Sequence, residues 1–251
     1  MNETIALAQR SIREAIRTPE ALFPAFFIPM FFFVVNIGQA ARIFPSDDTP
    51  FLAGQSYGAF QLPSAMLLAA SFGAAAMYLV EDIEGGYFDK LRATPISRMS
   101  LLSGRLVSEF LKAVVLVAVM MVLALIFGIR IESGAAGLVV LILLVALWAA
   151  VFNGFIQLIA VATRSAAATQ SGSMIFFPLL FLTPNFVPRS LLTRPMEVAA
   201  TWNPVTYIME AARSLILGGF DWSAIGKGFA VVAAAGALML ALSVRAINRY
   251  D

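Results

Sequence analysis

Charges are so sparse in this chain that the gaps between them decide what it can fold into. Uncharged runs occupy 21–41, 49–80, 113–129, 133–163, 165–188 and 228–244. A helix that crosses a bilayer needs about 20 predominantly apolar residues, with a range of roughly 17–25, so each run can cross once. Only 13% of residues are charged and 60% are hydrophobic, with a mean hydropathy of +0.86. A soluble domain carries roughly 25% charge, so most of this surface must face something other than water.

The expectation is therefore an all-α polytopic membrane protein, a single transmembrane domain over 1–251 with six spans near 21–40, 57–80, 106–129, 138–163, 169–184 and 224–245. Glu109 and Lys112 begin the third run, at a membrane edge where long side chains reach the headgroups. Six spans put both termini on one side. Eleven of the basic residues fall on that side and six on the other, which predicts cytoplasmic termini in a multi-pass cell (inner) membrane protein. The net charge of +2 reflects this same asymmetry, and no separate basic patch points to a nucleic-acid partner. With no cysteine and no histidine, disulfides and Cys/His metal sites are excluded.

Before the first run, Ile5, Ala8, Ile12 and Ile16 share one helical face and Arg10, Arg13, Glu14 and Arg17 the other, until Pro19 ends the pattern. This is the pattern of an amphipathic interfacial helix. The first span carries Pro24 and Pro29. The second is rich in small and polar residues, among them Gly58, Gln61, Ser64, Ala69 and Ser71, which suits close packing against an inter-subunit or pathway-lining face. The fifth is expected to be short and split by Pro178.

Two charged stretches lie between spans. In Glu81–Ser97, EDIEGGYFDKLRATPIS, Gly85-Gly86 breaks the second helix and Gly86 is an acceptable N-cap for the next. Tyr87, Phe88 and Leu91 then form an apolar side, Asp89 and Arg92 an i,i+3 pair, and Pro95 a stop, which together predict a short amphipathic helix along the membrane. In Asn203–Gly218, NPVTYIMEAARSLILG, Asn-Pro is a strong helix start and Gly218-Gly219 a strong stop. Val205, Ile208, Ala212 and Leu215 make its apolar stripe, and Thr206, Glu210 and Arg213 a polar one. Such a helix is expected to lie at, or dip into, the outer leaflet.

These two stretches carry a family resemblance. GGYFDKLRATPIS resembles the Glu-x-Gly-Thr-x-Glu-x-Leu-x-Ala-Thr-Pro-x-Ser pattern of ABC-2-type transporter permeases, and NPVTYIMEAAR resembles their Asn-Pro-x-Thr-Tyr-x-x-Glu-x-x-Arg segment. Gly86 stands where the family usually has threonine. Among these permeases the chain is most similar to those of the daunorubicin/doxorubicin-resistance type. The resemblance implies a homodimer, or a pair of similar permeases, each docked to a separate cytoplasmic ABC ATPase, two copies in all.

By that resemblance Glu81, Asp82, Glu84, Gly85, Gly86, Phe88, Asp89, Lys90, Leu91, Arg92, Thr94 and Pro95 form the element that meets the ATPase. Asn203, Pro204, Tyr207, Glu210 and Arg213 belong to outer gate helices. The polar side chains set within or beside the spans, Asn36, Gln61, Ser64, Ser71, Gln170 and Ser173, are the expected cargo contacts. No phosphate-binding motif occurs, since Gly226-Lys227 lacks both the upstream glycine spacing and the following Ser/Thr. The chain is thus expected to be a transport subunit rather than an enzyme, with no cofactor of its own and with ATP and Mg on the partner.

The expected cargo is a lipophilic or amphipathic drug-like compound or metabolite, with lipid-linked glycan or lipid export as the alternative. A proton-coupled transporter would need an ionisable residue at mid-membrane, and the spans offer none. A membrane scaffold would differ by moving no substrate.

Overall fold

The computed structural model describes residues 8–10, 13, 19–72, 75–86 and 98–248. Among the described residues the regular structure is entirely helical. The α-helices are α1 (Pro19–Ala40), α2 (Tyr57–Ser71), α3 (Ala75–Glu84), α4 (Arg98–Ile126), α5 (Gly134–Thr163), α6 (Ala166–Ser173), α7 (Phe176–Phe181), α8 (Arg194–Trp202), α9 (Pro204–Arg213) and α10 (Trp222–Asn248). Four contain stretches long and apolar enough to cross a membrane: Phe23–Ala40, Ser103–Ile126, Gly134–Thr163 and Trp222–Arg245. They match the first, third, fourth and sixth runs. The third helix starts well before the apolar stretch, at Arg98.

The second and fifth runs form helices too, but broken ones. The second stops at Ser71 and resumes at Ala75, where a single span was expected. A break in lipid must have its freed carbonyls bonded by protein. Here Asn153 of α5 donates to the Ala70 carbonyl at 3.2 Å, and Trp148 donates to the Ser71 hydroxyl at 3.3 Å. The fifth run is interrupted at Met174–Ile175, between α6 and α7, and not at Pro178. Pro178 sits in the first turn of α7, where its missing N–H leaves no bond unmade. Pro24, Pro29 and Pro63 likewise lie inside unbroken helices.

Helix α5 is the axis of the bundle, packed against α2, α3, α4, α6, α9 and α10. Its buried side runs from Leu141 through Val145, Trp148 and Phe152 to Ile156. Helix α2 is buried along its whole length. Its small residues therefore serve packing within the chain, which corrects the expectation of an inter-subunit face there. Close approach also fixes α10: a Cβ on Gly228 would meet the Ala211 Cβ at 2.8 Å, and one on Gly236 would meet Val151 at 3.2 Å.

At one end of the bundle lie residues 8–10, the end of α3 and the starts of α4 and α6; this is the near end, and the opposite one the far end. The amphipathic helix expected over 4–17 falls mostly outside the described residues. Within it Ala8 is buried and Arg13 exposed.

Candidate functional site

The near-end feature is a buried carboxylate shared by two arginines. Asp82, only 9% exposed, lies in the last turn of α3. Arg10 donates to its two oxygens at 3.1 and 2.8 Å, and Arg105 of α4 pairs with the same carboxylate. One turn along α4, buried Glu109 pairs with Lys112. Asp82 thereby ties the N-terminal segment, α3 and α4 together at one point. The flanking Glu81, Glu84 and Gly85 are exposed. Gly86 has φ +67, a left-handed conformation that terminates a helix without Cβ strain, so within the described residues it ends α3. Phe88, Asp89, Lys90, Leu91, Arg92, Thr94 and Pro95 lie outside the described residues.

At the far end, α8 leads directly into α9, and α9 is inserted between α2, α5 and α10. Asn203 lies between α8 and α9: the side-chain oxygen caps α9 by accepting from the Val205 N–H at 3.0 Å, and its amide donates to the Leu179 carbonyl of α7. From Asn203 to Arg213, α9 climbs about 15 Å. Its stripe of Val205, Ile208, Ala212 and Leu215 is wholly buried against α2, α5 and α10. A short π-helical turn, Ser214–Gly218, follows. The Leu215 carbonyl accepts from Ser133 and the Ile216 carbonyl from Glu132 N–H and Gln55, which satisfies the loosened turn.

Two of the three residues of the expected polar stripe of α9 do not face water: Thr206 is fully buried and Arg213 is 7% exposed, because α9 inserts between helices instead of lying on a surface, while Glu210 stays partly exposed. Arg213 donates from Nε to the Phe60 carbonyl at 3.0 Å, from one terminal nitrogen to the Asn185 carbonyl at 2.8 Å, and from the other to the Pro184 carbonyl. Its guanidinium carbon lies 3.6 Å from the centre of the Phe60 ring. A planar, forked cation suits this cage of carbonyls better than an ammonium would.

Two further bonds lock the same turn, Gln61 to the Asn185 carbonyl at 3.1 Å and Tyr57 to the Phe186 carbonyl at 2.9 Å. Glu210 takes a forked pair of 3.0 Å bonds from Arg189, which also lies over the Tyr207 ring. Tyr207 bonds the Thr201 carbonyl at 2.9 Å. Arg189, Tyr207, Glu210 and Arg213 face a cleft of about 500 Å³ that Asp221 and Lys227 complete.

Of the expected cargo contacts, Asn36, Gln61 and Ser64 come together around a void between α1, α2 and α7, with Asn185 beside them. The void is about 20 Å³, room for about one water and not for a drug-sized molecule. The buried Asn185 side-chain oxygen has no partner. The other three contacts are elsewhere. Ser71 bonds the Leu67 carbonyl and Trp148, Ser173 bonds the Thr169 carbonyl, and Gln170 is exposed on α6.

Sequence reasoning missed Arg10, Arg105, Phe60, Asn185 and Arg189 as site residues. For Arg10 and Arg105 a signal existed, since charged side chains beside apolar runs are buried only when paired.

The profile of the ABC-2 type transporter family matches residues 2–217. A daunorubicin resistance ABC transporter permease protein, DrrB1, of Streptomyces coeruleorubidus is 28% identical over 165 residues, covering 65% of this chain and 58% of that protein. With the family profile running through both the Asp82 junction and the Arg213 cage, this integral membrane protein belongs to the ABC-2 type transporter family, whose members are transport subunits and not themselves enzymes.

Proposed function

We propose that the chain is the membrane-spanning subunit of an ATP-driven exporter for lipophilic or amphipathic small molecules. It has six crossings, the second and fifth broken, with the near end and both termini in the cytoplasm. Two such permeases work with two copies of a cytoplasmic ABC ATPase, which binds ATP and Mg. The similarity to a protein named for daunorubicin resistance supports a drug-like cargo.

One observation carries the coupling mechanism: the second span touches both ends of the machine. Its inner end holds Asp82, within the 81–97 stretch expected to meet the ATPase. Its outer end, through Tyr57, Phe60 and Gln61, holds the turn at Pro184–Phe186 and the Arg213 cage. Closure of the ATPase pair shifts the 81–97 element, the Asp82 junction passes that shift to α3 and α4, and the break after Ser71 lets α2 move at the far end. Release of the Pro184–Phe186 turn then widens the void at Asn36, Gln61 and Ser64 into a path between α1 and α7, against a second permease. ATP drives this only by binding one conformation more tightly than the other.

The absence of cysteine allows a direct test. Ser64→Cys, in membranes with the ATPase, is exposed from outside to an aqueous maleimide. Labelling is expected with ATP present and not without it. Labelling independent of nucleotide contradicts the mechanism, and labelling that follows a proton gradient replaces it with proton coupling.

A further inference from the structure

Helices α5 and α10 leave between them a long apolar groove of about 970 Å³, walled at mid-bundle by Trp148 and Leu179 and further along by Ile159, Leu238 and Leu242. It ends at two arginines, Arg164 and Arg245, both exposed at the near end. Leu238 is 56% exposed, so the groove is open along its side and not sealed in the core. From Trp148 to Arg164 the groove follows α5 for about 24 Å, and one leaflet of hydrocarbon is about 15 Å thick. An apolar channel deeper than a leaflet, with two fixed cations at headgroup level, has the dimensions and polarity of a phospholipid.

Arg164 also closes α5 in the left-handed conformation, φ +52 and ψ 33.

We propose that the α5–α10 groove is a binding site for an anionic phospholipid of the near-end leaflet. The acyl chain lies along Ile159, Leu238 and Leu242, and Arg164 and Arg245 take the headgroup phosphate. A second copy of the chain is the poorer occupant. Two copies in one membrane orientation, related by an axis along the membrane normal, would bring near end against near end and so set these arginines against their own counterparts. A zwitterionic lipid would fill the groove but gain less from the two cations. Each arginine near an anionic headgroup contributes about a fivefold gain in affinity, so the pair together is worth about thirtyfold.

This site is independent of the transport reading, because lipid retention needs neither ATPase nor cargo. Native mass spectrometry of the full-length protein, released from mild detergent with equal phosphatidylglycerol and phosphatidylcholine of matched chains, tests it. Wild type is expected to retain phosphatidylglycerol preferentially. The Arg164→Gln/Arg245→Gln variant is expected to lose that preference, about thirtyfold, while Arg164→Lys/Arg245→Lys keeps most of it. Leu238→Trp, which fills the groove with both cations intact, is expected to lower retention of both lipids. Arg130→Gln at the far end, with the same loss of charge per residue, should change nothing. Equal retention of the two lipids by wild type overturns the proposal, as does a preference that survives the double glutamine change. Loss of a dimer in Leu238→Trp with lipid retention unchanged also overturns it and makes this face an interface between copies.

Discussion

Arg213 makes the far-end lock sensitive to the shape of one side chain. A lysine in its place keeps the charge but reaches fewer of the Phe60, Pro184 and Asn185 carbonyls, and buried hydrogen bonds to a charged group are worth about 1.5–3 kcal/mol each. Arg213→Lys is expected to lower the unfolding free energy in detergent by roughly that amount, measured by thermal unfolding, and unchanged stability would mean the cage is not formed. At the other end Asp82 joins two arginines, so its partners should be energetically coupled. In a double-mutant cycle of Asp82→Asn with Arg105→Gln, the double change is expected to cost less than the sum of the singles by about 0.5–3 kcal/mol. Simple additivity would show that the pair is not made.

Asp82 and Arg213 stood out in the sequence, but the partners of each were not legible, for a plain reason. Arg213 bonds a carbonyl 153 positions away and Arg10 a carboxylate 72 away, and neither partner bears a local mark. Asn203-Pro204, by contrast, was legible because an N-cap and a first-turn proline act within three residues.

Among the elements, the four long apolar helices follow directly from runs without charge, since length and apolarity are all that a crossing requires. The breaks were not so readable. Prolines 24, 29 and 63 are accommodated within helices, while the interruption after Ser71 has no proline at all. In a packed bundle the neighbours decide, as Asn153 and Trp148 of α5 do at Ala70 and Ser71. The contact of α9 with α10 gives a prediction at this scale. Gly228→Ala puts a methyl group within 2.8 Å of Ala211, which has no flexible end to move, and lies near the Tyr207 carbonyl. It is expected to destabilise the protein by about 1–3 kcal/mol through displacement of α10. Gly218→Ala, with open space around it, serves as the control in the same unfolding assay.

Across the whole molecule, a carboxylate junction at the near end and a caged arginine at the far end are joined by α3 and α2, on either side of the break after Ser71. The proposed coupling, in which a separate ATPase drives this subunit through residues 81–97, is tested by the ATPase rate of the purified partner reconstituted with this chain, wild type against Asp89→Ala/Leu91→Asp, with membrane insertion of the variant verified. The inserted variant is expected to lose co-purification with the ATPase, or its coupled hydrolysis. A variant that binds and stimulates the ATPase as well as wild type would contradict the coupling.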